Sequence, residues 1–320
     1  MTFHEHFRDA PVLVTGGAGF IGSHLVDALV ASGARVRVLD NFATGHRHNV
    51  KQCHGRIELV EGDIRDLETC RRVCDGVRFV WHEAALGSVP RSMKHPDATI
   101  EVNVSGTANV FSAARDAGVE RIVYASSSSV YGDSQELPKR EGREGQPQSP
   151  YALSKWMNEE LASVFARCFG MTMVGLRYFN VYGPRQDPSG PYAAVIPRFF
   201  AACERGESPT IFGDGLQSRD FTFVQDVVQA NLAAMFSPLS GACVFNIGAA
   251  GATTVLDLAE AIGRLSGFDG APRHESERPG DVRHSRADIS AAERYLDYRP
   301  TTEIQEGLAA TRGHVARAAE

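Results

Sequence analysis

Two short stretches carry side chains that could move a proton. Tyr151 and Lys155 stand four residues apart in SPYALSK, and YASSSSVYG (124–132) brings four hydroxyls, Ser126 to Ser129, to the end of an apolar run. A tyrosine has an ordinary pKa near ~10, so it is a poor base at neutral pH unless a nearby positive charge favours its phenolate. Residues four apart share a helix face, so Lys155 can supply that charge. The pattern predicts that Tyr151 accepts a proton and that a serine hydroxyl shares the substrate oxygen, although the same spacing also occurs on solvated helix faces.

A glycine-rich turn near the start of the chain indicates what these side chains act with. TGGAGFIG (15–22) follows a predicted strand, begins a predicted helix and has glycines at every third position from 16 to 22. This arrangement gives a tight turn, close approach of the backbone to a pyrophosphate and helix N–H groups directed at its charge. Asp40 ends the second predicted strand, where a carboxylate accepts hydrogen bonds from the adenosine ribose and repels a 2′-phosphate. The pattern predicts a dinucleotide site for NAD rather than NADP.

The elements that would position these residues alternate in type along the first half of the chain. Runs of β-branched apolar residues alternate with longer stretches of helical spacing, which is typical of a parallel sheet wound with crossover helices. The predicted strands are 11–17, 35–40, 56–63, 77–85, 121–127 and 173–179. The predicted helices between them are 19–33, 65–76, 99–118 and 150–170, each ending near a glycine. The predicted fold class is α/β, a doubly wound parallel sheet of the Rossmann type with a smaller C-terminal α/β lobe.

The character of the sequence changes after residue 180. Glycine, proline and turn residues become frequent, and the helical patterns shorten to segments around 193–205, 224–236 and 254–265. We therefore predict that residues 1–180 form the NAD-binding domain, together with returning segments near 222–250, and that residues 181–320 mainly form a substrate lobe.

Composition excludes several classes of protein. Of the 320 residues, 43% are hydrophobic and 22% charged, as in ordinary globular proteins. The formal net charge of −6 is spread along the chain and gives no basic patch for nucleic acid or an acidic membrane surface. No apolar run approaches the ~20 residues that span a bilayer, and the N-terminus lacks a signal peptide's apolar stretch, so we expect a cytoplasmic protein. The six cysteines form no CxxC pair and are expected to be reduced.

With these motifs in place, the chain resembles the extended short-chain dehydrogenase/reductase family over nearly its whole length. The motifs that carry the resemblance are TGGAGFIGSHL, DNFATG, EGDIRD, HEAA, YASSSSVYGD, SPYALSK, LRYFNVYGPRQ, FGDG with SRDF, and RPGDVRHSRAD, in the family's order. Within the family the chain is most similar to nucleotide-sugar 4-epimerases, above all the bacterial UDP-N-acetylglucosamine 4-epimerases. That closer similarity rests on ALGSVPRS (85–92), RQDPSGPYAAVIP (185–197) and GDVRHS (280–285).

The resemblance implies catalytic roles for Ser127, Tyr151 and Lys155. Aligned on VYG, the family's catalytic serine falls at Ser127, and Ser128 and Ser129 line the pocket near sugar carbon 4. Related dehydratases and decarboxylases carry acidic residues where Ser128 and Ser129 stand, because loss of water from a 4-keto sugar needs an acid and a base that hydroxyls cannot supply at neutral pH. The resemblance therefore implies oxidation at carbon 4 and re-reduction on the opposite face, with Tyr151 taking the hydroxyl proton and Lys155 holding the ribose.

The resemblance also implies which residues contact a tightly bound, recycled NAD. They are Gly16, Gly19, Phe20, Ile21, Gly22, Asp40, Asn41, Thr44, Gly45, Asp63, Ile64, Ala84, Ala85, Asn103, Tyr151, Lys155 and Tyr178. For Asp63 the sequence leaves two alternatives open, a contact on the adenine side and a helix N-cap. Glu83 stands where the family more often has Leu or Gln, and either a strand-end salt bridge or a role in binding the nicotinamide cation would explain it. The histidine spacings indicate no metal site, and no metal is expected.

A second implied set of residues binds the UDP-sugar. It comprises Ser88, Arg91, Ser127, Ser128, Ser129, Asn180, Ala194, Val195, Arg219, Arg278, Asp281 and Ser285. Arg219 and Arg278 would hold the diphosphate, since arginine suits bidentate phosphate recognition. Ser88 and Arg91 would contact the sugar or phosphates, or else structure their own loop. Ser285 is small where enzymes confined to UDP-glucose and UDP-galactose have Tyr, and so leaves room for a 2-acetamido group.

The implied function is interconversion of UDP-N-acetylglucosamine and UDP-N-acetylgalactosamine, with UDP-glucose and UDP-galactose as further candidate substrates. A UDP-glucuronate 4-epimerase is an alternative, favoured by the serine-rich segment and by Arg91, which could pair with a carboxylate. A non-catalytic NAD-binding sensor would share the fold, but the intact Ser127, Tyr151 and Lys155 disfavour it. The resemblance further implies a homodimer in which the helices near 99–117 and 150–169 form a four-helix bundle.

Overall fold

The computed structural model describes residues 7–188, 193–277 and 282–318. The strands are β1 (Pro11–Thr15), β2 (Arg35–Asp40), β3 (Ile57–Glu61), β4 (Phe79–His82), β5 (Arg121–Ser127), β6 (Thr172–Tyr178), β7 (Val181–Tyr182), β8 (Thr210–Phe212), β9 (Ser218–Arg219), β10 (Thr222–Phe223), β11 (Ala242–Ile247), β12 (Thr253–Thr254), β13 (Arg273–Glu275) and β14 (His284–Ser285). Within these ranges, seven strands form one parallel sheet in the order β11-β6-β5-β4-β1-β2-β3. The predicted doubly wound sheet is confirmed.

The helices cover both faces of this sheet and build most of the second lobe. They are α1 (Phe20–Ala31), α2 (Leu67–Cys74), α3 (Val89–Lys94), α4 (Pro96–Ile100), α5 (Thr107–Asp116), α6 (Pro150–Phe169), α7 (Val195–Glu204), α8 (Val224–Phe236), α9 (Val255–Ser266), α10 (Ser290–Leu296) and α11 (Ile304–Ala318), with 3-10 helices at Arg47–Cys53 and Ser128–Tyr131. The single helix predicted over 99–118 is divided, because a π-helix at Glu101–Gly106 lies between α4 and α5. At this turn Gly106 packs so closely on Ile64 that a Cβ would lie 2.6 Å from its side chain.

Successive residues of the central strands enter different apolar layers. Val14 of β1 packs in the layer that contains Leu25 of α1 and Val227 of α8. Its neighbour Leu13 packs in the opposite layer with Phe111 of α5. Because such strands are buried on both faces, they appear in the sequence as continuous apolar runs rather than alternating ones. This burial holds the carboxyl ends of β1, β4 and β5 in fixed positions at one edge of the sheet.

Helix α6 begins where the sequence places its start signals. The Ser149 hydroxyl accepts a hydrogen bond from the Ala152 N–H at 3.1 Å, and Pro150 occupies the first turn. The helix ends at Gly170, whose φ of +69° is left-handed. Capping therefore fixes the first turn of α6, and with it the position of Tyr151.

The second lobe is built from short strands around its own apolar core. Strand β9 lies between β12 and β14, β7 pairs with β10, and β8 pairs with β13. Its core includes Phe199 and Phe200 of α7 and Leu258 of α9. Strand β11 joins β6 at the edge of the first sheet; the sequence analysis did not predict this strand, although it assigned returning segments near 222–250 to the first domain. Since the chain returns to that sheet after residue 236, the division near residue 180 stays a proposal.

Candidate active site

A cleft of about 1090 Å³ runs along the carboxyl edge of the first sheet. Its lining includes residues that directly follow β1 and β4, the neighbouring strands where the strand order reverses. Open α/β sheets bind ligands at this kind of switch point. The volume exceeds the ~300–1,000 Å³ of a typical site for one small ligand, so the cleft has room for a cofactor and a substrate side by side.

The glycine turn after β1 forms one wall of the cleft and fits the pyrophosphate of NAD. Gly16 has a φ of +68°, and a Cβ on it would lie 2.7 Å from the Ala84 backbone nitrogen. A Cβ on Gly22 would lie 2.2 Å from the Gly16 carbonyl oxygen. Gly19 precedes α1 and offers no side chain that caps the helix, so the first N–H groups of α1 are available to an anion. The residues present therefore fit the predicted cofactor.

Asp40 lies behind this turn and is almost fully buried. Its carboxylate accepts hydrogen bonds from the Ala18 N–H at 2.9 Å and the Phe42 N–H at 2.8 Å. Burial nevertheless raises the pKa of Asp40, and the two backbone hydrogen bonds oppose that effect. A carboxylate has about four lone-pair sites, so Asp40 retains capacity for ribose hydroxyls.

Asp63 faces the same end of the cleft and is already paired. It accepts hydrogen bonds from Arg65 at 2.8 Å and from the Asn41 amide at 2.8 Å. The hydrogen bonds from Arg65 are the main reason that the pKa of Asp63 falls to about 2. The N-cap of α2 is Asp66, which accepts from the Glu68 N–H, so the capping alternative for Asp63 is wrong.

The proposed catalytic residues meet at the opposite end of the cleft. The Tyr151 and Ser127 side chains interact within this group. The Ser127 hydroxyl also accepts from the Ser129 N–H at 3.2 Å and from the Ser129 hydroxyl at 3.0 Å. The Lys155 ammonium donates to the Ala125 carbonyl at 2.8 Å. Strand β5 and helix α6 thus bring the serines, the tyrosine and the lysine to one place.

Burial controls the charge of this group. It raises the pKa of Tyr151, and the interaction with Ser127 opposes that effect. It lowers the pKa of Lys155 to about 8, and the charges of Glu83 and Glu159 oppose that effect. The sequence argument expected Lys155 to favour the Tyr151 phenolate, but in the structure desolvation is the largest effect on the pKa of both groups and favours their neutral forms.

Glu83 lies on the floor of the cleft, at the end of β4. Its carboxylate accepts a hydrogen bond from the Tyr178 hydroxyl at 2.9 Å, and the Asn231 amide donates to that hydroxyl at 2.8 Å. Burial raises the pKa of Glu83 to about 7. Within the described ranges, the strand-end salt bridge that would explain Glu83 does not form, because its hydrogen-bond donor is a neutral hydroxyl.

A buried ionic network lies beneath the serines, and the sequence analysis missed it. Arg177 donates to both carboxylate oxygens of Glu159, at 2.9 and 2.7 Å, and to the Tyr131 hydroxyl at 3.0 Å. The Ser126 hydroxyl donates to Glu159 at 2.5 Å. The network joins β5, β6 and α6, so no local sequence pattern could have revealed it.

Most of the predicted site residues line this cleft. They are Gly16, Gly19, Phe20, Ile21, Gly22, Asp40, Asn41, Thr44, Asp63, Ile64, Ala84, Ala85, Ser88, Arg91, Ser127, Ser128, Ser129, Tyr151, Lys155, Tyr178, Asn180, Ala194, Arg219 and Ser285. Ser88 also caps α3 by accepting from the Arg91 N–H at 3.2 Å. One Arg219 nitrogen donates to the Ser218 and Arg283 carbonyls. Ser88 therefore both structures its own loop and lines the cleft, so the two alternatives given for it in the sequence analysis are compatible.

Five predicted residues are not among those that line the cleft. Gly45 lies behind Asp40, where a Cβ would be 2.9 Å from the carboxylate oxygens. Asn103 is fully buried and holds the loop after β4 by accepting from the Leu86 N–H at 2.8 Å. Val195 begins α7 and packs against the core of the second lobe. Arg278 and Asp281 lie outside the described residues.

Lys139 lines the cleft although the sequence analysis did not select it. It is 5% exposed, and its backbone N–H donates to the Arg286 carbonyl at 2.8 Å. Burial lowers the pKa of Lys139. Its ammonium also donates to the Ser134 carbonyl. Lys139 reaches the cleft because the segment after β5 folds back onto the residues that follow β14, a long-range pairing that no motif indicates.

In the part of the chain covered by the structure, no helix is long and apolar enough to cross a membrane. No group of three or more His, Cys, Asp or Glu side chains among those residues has a geometry suited to a metal ion. The six cysteines are free, and burial raises the pKa of Cys70 and Cys74 to about 12, which favours the neutral thiol.

Comparison with known proteins gives consistent matches over most of the chain. Residues 12–248 match the NAD dependent epimerase/dehydratase family. A putative UDP-glucose 4-epimerase of Methanocaldococcus jannaschii is 40% identical over 299 residues, covering 93% of this chain and 95% of that protein. UDP-glucuronate 4-epimerase 3 of Arabidopsis thaliana is 35% identical, covering 94% and 75%. The structure of UDP-N-acetylglucosamine 4-epimerase from Methanobrevibacter ruminantium M1, in complex with UDP-N-acetylmuramic acid, superposes with a TM-score of 0.93 at 36% identity, covering 97% and 99%.

Proposed function

Because the chain belongs to the NAD-dependent epimerase/dehydratase family, we propose that it is a UDP-sugar 4-epimerase whose preferred pair is UDP-N-acetylglucosamine and UDP-N-acetylgalactosamine. One observation carries the proposal. At the sugar end of the cleft, the groups beside Tyr151 are the hydroxyls of Ser127, Ser128 and Ser129. Hydroxyls can hold a 4-keto sugar but cannot act as the acid and base that removing water from it requires.

Tyr151 and Ser127 are the proton-handling pair. Ser127 is held by its neighbour Ser129, so its hydroxyl stays beside Tyr151. In the proposed reaction Tyr151 acts as its phenolate, which the positive charge of bound NAD would favour, and takes the proton of the sugar 4-hydroxyl, while Ser127 hydrogen-bonds the same oxygen. Bound NAD supplies the redox chemistry, since it can take a hydride from carbon 4 and return it to the other face. Tyr151 then gives the proton back to the oxygen, so the enzyme ends the cycle unchanged.

The cofactor is held by the residues at the other end of the cleft. Gly16, Gly19 and Gly22 allow the pyrophosphate to approach the backbone, and Asp40 accepts from the adenosine ribose. Lys155 holds the ribose nearest the reacting carbon. Since the overall reaction has no net redox change, we expect NAD to stay bound from one turnover to the next.

The small side chain at position 285 supports the acetylated substrate. Ser285 is on β14, is partly buried and lines the cleft on the side of the second lobe. A hydroxymethyl group there leaves space beside the sugar that a tyrosine would fill. The similarity to a UDP-N-acetylglucosamine 4-epimerase structure is consistent with this assignment.

A second candidate substrate is UDP-glucuronate. Among the cationic residues that line the cleft, Arg91 or Lys139 could pair with the carboxylate at sugar carbon 6. A UDP-glucuronate 4-epimerase is also among the similar proteins. The burial of Lys139 makes an anionic partner favourable, because a buried ammonium is stabilised by an opposite charge.

We also propose that the protein is a homodimer through the helices near 99–117 and 150–169. Helix α6 exposes four large apolar side chains, Leu153, Trp156, Val164 and Phe169, at 38%, 41%, 40% and 49% of their surface. Burying such side chains against a second copy would be favourable. Light scattering after gel filtration tests the assembly, and Trp156→Glu is expected to give monomers.

The first experiment follows epimer formation by NMR in purified protein without added NAD. UDP-N-acetylglucosamine, UDP-glucose and UDP-glucuronate are incubated separately. Conversion of UDP-N-acetylglucosamine faster than the other two supports the proposal. Conversion of UDP-glucuronate alone would keep the epimerase and overturn the substrate, and conversion of none would overturn the proposed activity in favour of a non-catalytic NAD-binding protein.

A further inference from the structure

The serines at the sugar end and the tyrosine beside them come from different elements of the fold. Ser127 ends β5, and Ser128 and Ser129 begin the 3-10 helix that follows it; these three residues are called the serine segment below. Tyr151 lies in the first turn of α6. A displacement of about 1 Å between reacting groups can slow a reaction by ~10²-fold. The strand and the helix must therefore be held together accurately.

One contact between them lies directly beside the serine segment. The hydroxyl of Ser126, the residue before Ser127, donates to the Oε1 atom of Glu159 at 2.5 Å. Ser126 is 2% exposed and Glu159 is 8% exposed, so this hydrogen bond is shielded from water. Glu159 lies about two turns beyond Tyr151 on the same face of α6. The hydrogen bond therefore joins the serine strand to the helix that carries the tyrosine.

Arg177 of β6 holds the Glu159 carboxylate in one orientation. Its Nε atom donates to Oε1 at 2.9 Å, and its Nη2 atom donates to Oε2 at 2.7 Å. The side chains of Glu159 and Arg177 are only 7% and 4% exposed. Bidentate pairs of this kind are strong and geometrically specific. The acceptor of the Ser126 hydroxyl is thus fixed in place by two further hydrogen bonds.

The same guanidinium also holds the chain on the other side of the serine segment. Its Nη1 atom donates to the Tyr131 hydroxyl at 3.0 Å. Tyr131 is the last residue of the 3-10 helix that the serine segment enters, and it is 1% exposed. The serine segment therefore lies between two residues, Ser126 and Tyr131, whose hydroxyls are bound by the Glu159–Arg177 pair.

Stability alone gives little reason to bury this pair. Taking a carboxylate and a guanidinium out of water is costly, and well-packed apolar residues of similar volume often give a fold that is at least as stable. Apolar side chains form no directional contacts, however, and could not hold the Ser126 and Tyr131 hydroxyls at set distances. The geometry that the pair imposes on the serine segment accounts for its presence.

We propose that Glu159 and Arg177 are positioning residues, which hold the serine segment at the distance from Tyr151 that proton transfer requires. The inference rests on the proposed function, because it assumes the roles given there to Ser127 and Tyr151. Neither Glu159 nor Arg177 is among the residues that line the cleft. The pair therefore acts through its hydrogen bonds to the chain on either side of the serine segment, without contact with a ligand.

Two substitutions each remove one of these hydrogen bonds and leave the ion pair in place. Ser126→Ala removes the hydroxyl that binds Glu159, and Tyr131→Phe removes the hydroxyl that binds Arg177. Epimerisation is measured with the UDP-sugar that the wild type converts fastest, and kcat is expressed per bound NAD. In each variant we expect kcat to fall about tenfold with KM nearly unchanged, because a displaced serine segment affects the transition state more than substrate binding.

The chain offers a matched control for each substitution. Ser237 is 7% exposed, and its hydroxyl donates to the Ala234 carbonyl at 2.9 Å. Tyr298 is 2% exposed, and its hydroxyl donates to the Gly248 carbonyl at 2.9 Å. Neither residue is among those that line the cleft. Ser237→Ala and Tyr298→Phe remove buried hydrogen bonds away from the serine segment, so the kcat per bound NAD of both controls should match the wild type.

A double substitution tests whether the Ser126 hydroxyl acts through Glu159. Glu159→Gln keeps the volume of the side chain, and Arg177 retains a carboxylate partner, because it also donates to Glu144. Residues of one network have non-additive effects. Ser126→Ala should therefore lower kcat less in the Glu159→Gln background than in the wild type. Equal losses in the two backgrounds would show that Ser126 acts independently of Glu159 and would overturn the proposal.

The outcomes separate this inference from the proposed function. A wild type that converts no UDP-sugar overturns the proposed function and this inference with it. A wild type that epimerises, together with Ser126→Ala and Tyr131→Phe variants whose kcat matches that of the wild type or falls no more than in the controls, overturns the positioning role alone. If Glu159→Gln does not fold, the comparison of these two variants with their controls decides the question.

Discussion

The two ends of the cleft are built on different principles. At the adenosine end, Asp40 and Asp63 already accept hydrogen bonds from backbone N–H groups, Asn41 and Arg65. At the sugar end, the Ser129 hydroxyl donates a hydrogen bond to the Ser127 hydroxyl, and Ser127 interacts with Tyr151. The hydrogen bonds that hold the carboxylates at the adenosine end are in place before any ligand binds. At the sugar end, a serine hydroxyl can give up its hydrogen bond to a neighbouring hydroxyl and bind a substrate oxygen instead.

This difference agrees with what each ligand would do. A cofactor that stays bound needs a fixed cradle, because a preorganised site loses less conformational entropy on binding. A sugar that must present both faces of carbon 4 needs partners that tolerate reorientation, and rotatable hydroxyls are such partners. Substitutions at the adenosine end should therefore affect retention of NAD, and those at the sugar end should affect turnover and selectivity.

Tyr151→Phe is expected to separate the loss of turnover from the loss of bound NAD most clearly. Removing the phenolic oxygen deletes the proton acceptor, so epimerisation should fall by roughly 10³-fold. NAD content, measured by absorbance after acid release of the cofactor, should stay within twofold of the wild type. A variant that loses NAD together with activity would show that the two ends are not separable.

The converse effect is expected for Gly22→Ala. Its Cβ would lie 2.2 Å from the Gly16 carbonyl oxygen, so the turn would have to open. Steric insertion of this kind costs about 1–3 kcal/mol, which corresponds to roughly a 10- to 100-fold weaker affinity for NAD if the cost falls on the bound form. Calorimetric titration of NAD checks this expectation. In the control Gly251→Ala nothing lies within 4 Å of the added carbon, and the NAD affinity of that variant should match the wild type.

A smaller and more selective effect is expected for Ser285→Tyr. The ring would fill the space beside the sugar, so the kcat/KM for UDP-N-acetylglucosamine should fall about tenfold relative to that for UDP-glucose. Ser285→Cys, which keeps the volume, should preserve the wild-type ratio. Equal losses of kcat/KM on both sugars in the tyrosine variant would show that residue 285 does not determine which sugar is preferred.

The smallest effect is expected at Asp63. Its pKa is about 2 in the folded protein and near ~3.9 in an unfolded chain, so its ion pair contributes stability above pH 4 that is lost as the pH falls towards 2. Because the pair is partly exposed, Asp63→Asn should cost less than about 1 kcal/mol of unfolding free energy at pH 7. Urea unfolding at pH 7 and at pH 3 checks this: the difference between wild type and variant should shrink at the lower pH.

Much of the site could be predicted because its parts are local in the chain. The glycine turn lies within one strand–turn–helix unit, and Tyr151 and Lys155 lie one turn apart on a single capped helix. For such units the spacing of residues fixes their geometry. Gly45 and Asn103 were also predicted to contact the cofactor, but they lie behind the residues that line the cleft. Whether a residue of a motif lines the cleft or supports it depends on packing, which its position in the motif does not reveal.

The sequence by itself determined the sheet, the glycine turn and the face that Tyr151 shares with Lys155, because these depend on short-range periodicity. Only the tertiary structure decided which charges surround Lys155. The hydrogen bond from Tyr178 to Glu83 joins residues 95 positions apart, and that from Ser126 to Glu159 joins residues 33 apart. Desolvation and pairing depend on neighbours brought together from distant parts of the chain, so the pKa of each of these groups was set by the fold.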